Sequence, residues 1–239
     1  MNVSLFIPCY TDQFFPDTGM NMVTVLERLG INVKYDTRQT CCGQPAFNTG
    51  YHDEARVLAK RFIEIFADAE YIVAPSGSCT SMAKVFYGNE LHLPDPWLST
   101  LNAIRGRMHE FTSFLVDVLG IDDVGARFEH SVTLHDSCHA LRELGVREQP
   151  RRLLKHVRGL DFVEMNNPDI CCGFGGTFSI KNEPLSAAMG NDKVDDIQRS
   201  GAEVVTAVDS SCLMHVDGIL RRRGMRTRAL HIADILASR

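Results

Sequence analysis

The chemistry-bearing residues of this 239-residue chain are its eight cysteines, which fall into two sets of matching order. Cys9, Cys41, Cys42 and Cys79 form one, and Cys138, Cys171, Cys172 and Cys212 the other. The step from the lone cysteine to the pair is 32 positions in the first set and 33 in the second; from the pair to the last cysteine it is 37 and 40. Neighbouring cysteines across a trans peptide are poorly placed to bond to each other. Four gathered thiolates repel one another, so a fold that collects them normally binds a cation or a cluster there. An iron–sulfur cluster and zinc both suit such a donor set. Each pair is followed by glycine, Gly43 or Gly173, and the second also by Gly175 and Gly176. Glycine lets the backbone approach an inorganic group closely and turn its N–H groups toward charged sulfur. A single buried thiol is usually just core, but recurrence of the whole pattern, with every cysteine used, favours two ligating sites. His135, His139 and His215 lie near the second set in sequence, where they suit either hydrogen bonding to the sulfurs or ordinary surface and capping roles. The "GFGG" stretch, Gly173–Gly176, lacks the Lys-Ser/Thr of a phosphate loop and the spacing of a dinucleotide fingerprint.

The elements that must position these residues repeat as well. Val3–Cys9 and Ser131–Cys138 are β-branched or apolar runs that each deliver a cysteine. Glu70–Cys79 and Ala202–Cys212 do the same, with turn-forming residues just before the thiol. Helical periodicity occupies 53–67 and 184–199, and each half ends in a similar amphipathic segment, from His109 and from Leu230. Strands alternating with helices predict an α/β fold: two tandem duplicated Rossmann-like βαβ domains with mainly parallel sheets, related by pseudo-two-fold symmetry. The domains are predicted at 1–121 and 129–239, as separately packed units. In such sheets sites form beyond the carboxyl ends of strands, so each half is expected to gather its four cysteines at one rim.

Composition sets the remaining bounds. Hydrophobic residues make up 44% and charged residues 23%, ordinary globular usage that argues against disorder or coiled coil. No apolar run approaches the roughly 20 residues of a membrane span, so the chain is not expected to be an integral membrane protein. The N-terminal residues fit a first strand better than a secretory signal, and eight cysteines without that signal point to reduced thiols in the cytoplasm. Net charge is −5. The basic cluster Arg221, Arg222, Arg223, Arg226 and Arg228 reads as a solvated helix end, and nucleic-acid binding is not expected.

The motifs bring a resemblance. The repeated Cys, Cys-Cys-Gly, Cys arrangement resembles the cysteine-rich CCG domain found in heterodisulfide reductase and in the iron–sulfur subunits of glycolate oxidase and anaerobic glycerol-3-phosphate dehydrogenase. "CCGQPAFNTGY" from Cys41, "PSGSCTSM" from Pro75, "CCGFGGTFSIK" from Cys171 and "HIADIL" from His231 are similar, closer still, to the lactate utilization protein A family, end to end. That resemblance implies an iron–sulfur electron-transfer subunit of a complex that oxidises L-lactate to pyruvate, an oxidoreductase component that does not act alone. Its implied partners are other lactate-utilization subunits, one of them a conventional iron–sulfur protein. The full CCG pattern ends in Cys-x-x-Cys, with five cysteines per half, whereas this chain has Ser76 and Asp209 at the additional positions. Four thiolates per half imply an ordinary [4Fe–4S] cluster in each, up to two per chain, all eight cysteines serving as ligands. Zinc in one site, with Ser76 or Asp209 lending an oxygen, stays open, as do a zinc-binding scaffold subunit and a thiol/disulfide-type reductase subunit. No catalytic residue is assigned.

Overall fold

A computed structural model describes residues 1–239, with side chains for 1–88 and 90–239. It contains two four-stranded sheets, each with all its strands parallel. The first has the order β2-β1-β3-β4, built from β1 (Asn2–Leu5), β2 (Asn32–Tyr35), β3 (Tyr71–Ala74) and β4 (Met108–Glu110). The second repeats it as β6-β5-β7-β8, from β5 (Ser131–His135), β6 (Asp161–Phe162), β7 (Val204–Ala207) and β8 (Arg228–His231). The α/β class and the duplication expected from the sequence are therefore present. The strand order reverses between β1 and β3, and between β5 and β7. This is the switch point at which open α/β sheets form their crevice.

Alternation along the strands sorts side chains onto two faces. Ile72 and Ala74 face a core with Phe6, Phe62 and Phe66, under the helix His52–Phe66. Val205 faces a corresponding core with Val194, Ile197 and Val216, under the helices Glu183–Ser200 and Ser210–Arg222. The opposite faces behave differently. Val3, Leu5 and Val73 of the first sheet share one continuous core with Val132, Leu134 and Val204 of the second.

That shared core corrects the expectation of separately packed halves. The closing amphipathic segments from His109 and Leu230 begin as the edge strands β4 and β8 and then send short helices onto the other half. The helix Ile232–Ala237 lies on the helix Pro16–Arg28. Thr18 and Asn21 donate hydrogen bonds to Asp234, and Arg28 donates to the carbonyls of Leu236 and Ala237. Reciprocally, the helical segment beginning Phe111–Ser113 packs on the helix Glu148–Lys155, and Gln149 donates to Asp117. The basic cluster is solvated as expected, with Arg221 paired to Asp217 and Arg223 to Asp195.

The exchanged helices start at equivalent buried caps, Glu110 and His231. The Glu110 carboxylate accepts hydrogen bonds from the N–H groups of Thr112 and Ser113 and from the Thr112 hydroxyl, yet burial outweighs these and raises its pKa from 4.5 to about 7.

Two outcomes follow from this packing. Leu236→Ala, at a fully buried position of the shared core, is expected to cost about 2–5 kcal/mol. Denaturation followed at Trp97, the single tryptophan and a first-half residue, should shift together with the far-UV signal; a second-half transition that left Trp97 unmoved would contradict the shared core. For Glu110, the unfolded carboxyl loses its proton at lower pH than the folded one, so its contribution is full below about pH 4.5 and is lost as pH rises through about 7. Glu110→Gln is expected to flatten the stability profile between pH 5 and 8 by about 2–3 kcal/mol, measured by urea unfolding across that range.

Candidate metal centre

The carboxyl ends of the two sheets face each other across one cleft of about 810 Å³ open to solvent, lined by all eight cysteines. Each lone cysteine opens a helix just beyond a central strand: Cys9 begins Cys9–Phe14 after β1, and Cys138 begins Cys138–Leu144 after β5. Cys79 and Cys212 lie in the first turns of the helices after β3 and β7. The two Cys-Cys pairs sit in the loops after the outer strands β2 and β6. The predicted rims are thus real, but they converge on one cavity.

Within each set the sulfurs form a chain of contacts. Cys42 and Cys79 approach to 3.3 Å between Sγ atoms, and all eight thiols are free. Gly43 and Gly173 adopt φ of 85° and 88°, which turns their N–H groups onto the Sγ atoms of Cys41 and Cys171 at 3.3 and 3.4 Å. Only glycine suits Gly173, because a Cβ there would lie 2.6 Å from the Ser186 carbonyl oxygen. Hydrogen bonding by Cys42 and Cys9 holds the Cys41 thiol far below the ordinary range, at about 3; Cys138 and Cys172 do the same for Cys171, at about 2. Cys9, Cys42, Cys138 and Cys172 are pushed up in turn, chiefly by hydrogen bonding to the ionised sulfur, with burial adding to it. Further ionisation of this crowd requires positive charge, which a metal would supply.

Ser76 and Asp209, at the positions where the CCG pattern has a further cysteine, pair with each other in an isolated antiparallel bridge. Equivalent residues that meet antiparallel mark the pseudo-two-fold axis between the halves. Asp209 is 2% exposed and its oxygens are fully engaged. Oδ2 accepts from the Ser78 N–H at 2.7 Å and lies 3.4 Å from the Ser76 hydroxyl, while Oδ1 accepts from the Ser211 N–H and hydroxyl. The Ser76 hydroxyl accepts from the Cys79 N–H at 3.2 Å. Both residues therefore cap helices and clasp the halves together, in place of the oxygen ligation held open from the sequence.

The histidines separate. A ring nitrogen of His135 lies with the Sγ atoms of Cys172 and Cys212, all within 4.8 Å of one another. His139 places Nδ1 3.9 Å from the Cys138 Sγ and faces Gln44 across the cleft with Nε2 at 3.4 Å, and His215 lies 3.4 Å from the Ser186 carbonyl. Sequence reasoning missed Tyr10 and Phe174, whose rings meet edge to face at 5.4 Å. Tyr10 follows Cys9 as His139 follows Cys138, and Phe174 stands two residues after Cys172 as Gln44 stands two after Cys42. Aligning the repeats would have exposed these positions, though not their contact.

Removing the clasp is expected to be costly: Asp209→Ala leaves the Ser78 N–H without its charged partner and uncaps the helix Ser210–Arg222, a loss of about 2–3 kcal/mol. Chemical denaturation of the two proteins side by side measures it; a change under about 0.5 kcal/mol, the range of an unremarkable surface substitution, would refute the clasp.

Among the described residues, no helix is long and apolar enough to cross a membrane. A profile of the cysteine-rich CCG domain matches residues 3–84 and 132–217, each containing one complete cysteine set. Lactate utilization protein A of Bacillus subtilis (strain 168) is 45% identical over all of both chains. Proteins of the same name match from Exiguobacterium sp., 47% identical over 98% of this chain and 96% of that one, and from Geobacillus kaustophilus, 44% identical over all of both. A solved putative Asp/Glu racemase from Yersinia pestis aligns with 99% of this chain and 96% of its own at 14% identity and a TM-score of 0.37, too slight a likeness to extend the description of the fold. With both repeats matched and relatives similar along the whole length, this chain belongs to the lactate utilization protein A family of cysteine-rich CCG domain proteins.

Proposed function

We propose that the chain is the iron–sulfur electron-transfer subunit of an assembly that oxidises L-lactate to pyruvate. Cys9, Cys41, Cys42 and Cys79 would hold one [4Fe–4S] cluster, and Cys138, Cys171, Cys172 and Cys212 a second. The observation that carries this is the arrangement of eight free cysteines as two matching sets of four in one cleft. The donor set suits the group: thiolate is the usual protein ligand of iron in such clusters, and glycine N–H groups already point at Cys41 and Cys171. When bound, such a cluster accepts and returns single electrons.

The residues of the chain define the rest of the role. Oxidation of lactate to pyruvate releases two electrons and two protons, and a pair of centres in one cleft suits a two-electron donor. No flavin or nicotinamide fingerprint is present in the sequence, so the base and the two-electron step are assigned to partner subunits, among them a conventional iron–sulfur protein. The relatives' names support a place in lactate utilization. The Ser76–Asp209 clasp and the shared core keep the two cysteine sets at a fixed separation. Thiols that are all free suit a reducing compartment such as the cytoplasm.

Anaerobically purified chain is expected to carry about eight iron and eight sulfide, consistent with two four-iron clusters, with visible absorption that bleaches on reduction. Cys172→Ser should lower the iron by about half, since serine oxygen is a poorer ligand in a sulfur site. Stoichiometric zinc without sulfide would instead identify a scaffold. Lactate-dependent reduction of an artificial acceptor should appear only when partner subunits are added and should fall at least tenfold in Cys172→Ser; robust turnover by the isolated chain would overturn the subunit assignment.

A further inference from the structure

The two cysteine sets match, but their surroundings differ at one buried position. Three residues before Cys9 stands Phe6, and three before Cys138 stands His135, each just past or at the end of a central strand. Phe6 is spent on packing, with its ring 5.0 Å from Phe62 and 5.9 Å from Phe66, both edge to face. A phenyl ring therefore satisfies this place in the fold, and architecture alone does not demand an imidazole in the second half.

His135 is 2% exposed. Its Nδ1 lies 3.2 Å from the Pro168 carbonyl oxygen, which can only accept, so Nδ1 carries the proton. The same carbonyl accepts from the Asp136 N–H at 2.9 Å, and the buried Lys193 ammonium lies 3.4 Å away, so the loop that leads into Cys171 and Cys172 fixes the ring. This leaves Nε2 buried, its lone pair free and without a hydrogen-bond partner at ordinary distance among the described residues, with the Cys212 thiol beside the ring. Leaving such an acceptor unsatisfied costs about 1–3 kcal/mol. The ring shares its pocket with Cys172 and Cys212. A histidine whose Nδ1–H is held by a backbone carbonyl and whose bare Nε2 belongs to a ring that shares its pocket with thiols has the arrangement of a metal ligand.

We infer that His135 supplies a nitrogen ligand to the metal centre of the second cysteine set, in place of one of the four thiolates assigned to it above, so that the two centres of the chain are chemically unequal. Among the described residues the first set is bounded by Phe6 and offers sulfur donors alone; the second offers sulfur and one imidazole. A neutral nitrogen donor beside thiolates raises the reduction potential of an iron–sulfur centre, which makes the second set the better electron acceptor of the two. This inference deepens the proposed function, from which it takes only that the second set binds metal.

The test uses the full chain, grown with 15N-histidine, loaded anaerobically with iron and sulfide, and brought to its paramagnetic states by stepwise reduction. Pulsed EPR is expected to detect one directly coordinated histidine nitrogen, belonging to only one of the two centres. His135→Phe, which installs the first-half residue, should abolish that coupling and lower the potential of one centre while sparing the other. Absence of the coupling in the unsubstituted protein, or its survival in His135→Phe, overturns the inference. Should His135→Phe fail to fold, His139→Ala and His215→Ala remove the other imidazoles near this set; retention of the coupling in both assigns it to His135, and loss in either overturns the assignment. If the chain takes up no iron, the cluster reading fails separately. Zn2+ is then the probe, and X-ray absorption should show imidazole scattering that His135→Phe removes; sulfur scattering alone, or no zinc bound, overturns the inference.

Discussion

The physical constraint on which this molecule turns is the mutual repulsion of ionised sulfur. In each set one thiol is held strongly ionised and two neighbours are driven the other way, chiefly by hydrogen bonding to the ionised sulfur, with burial and like charge adding to it. In the second set Cys212 is also lowered, to about 6, by hydrogen bonding to Cys172. Gathering eight such groups in one cleft makes sense only if positive charge is to arrive. The glycine N–H groups, the free thiols and the unpartnered nitrogen of His135 are local responses to the same need.

Holding those sulfurs in place is the work of the interface between the halves. Two parallel sheets with the same strand order direct their switch points at one another, and the bridge between Ser76 and Asp209 lies where the pseudo-two-fold axis passes. The Asp209 carboxylate ties the helix after β3 to the helix after β7, the two that carry Cys79 and Cys212. Nearby, a Cβ at Gly77 would lie 2.5 Å from the Cβ of Ala140, whereas the equivalent pair, Ser210 and Thr11, shares a hydroxyl hydrogen bond at 3.3 Å. One close contact needs the absence of a side chain and the other uses two polar ones. The exchanged terminal helices then lock this arrangement from the far side, through the common core. Hinge motion between the halves would tear that core, so the cleft is a preformed site.

Duplication supplies symmetry, and subsequent divergence breaks it at positions that matter. Phe6 and His135, Tyr10 and His139, and Gln44 and Phe174 are equivalent pairs in which one half is aromatic where the other is polar. Crossing contacts join Tyr10 to Phe174 and Gln44 to His139, so each wall of the cleft is made by both halves. An aromatic contact flanks one side of the opening and a polar one the other.

The duplication, the α/β class, the strands that lead to Cys9, Cys79, Cys138 and Cys212, and the helices near 53–67 and 184–199 were all legible in the sequence. These features depend on local periodicity and on spacing along the chain, which a linear text preserves. The short edge strands β2 and β6 were not, since Asn32–Tyr35 is largely exposed and Asp161–Phe162 has only two residues; neither leaves an alternating pattern. The closing segments from His109 and Leu230 were visible as apolar patterns, but nothing local says against which half such a face is buried. Ser76 and Asp209 stood out only as missing cysteines, because their capping and clasping become apparent when residues 133 positions apart meet. His135 was one of three equal histidines until folding committed its Nδ1 to Pro168 and left Nε2 bare in a pocket shared with Cys172 and Cys212. The eight candidate sulfur donors were written in the order of the residues. Which groups share a cavity, which face is buried and which nitrogen is left bare were decided by tertiary packing, because those are properties of contacts between segments distant along the chain.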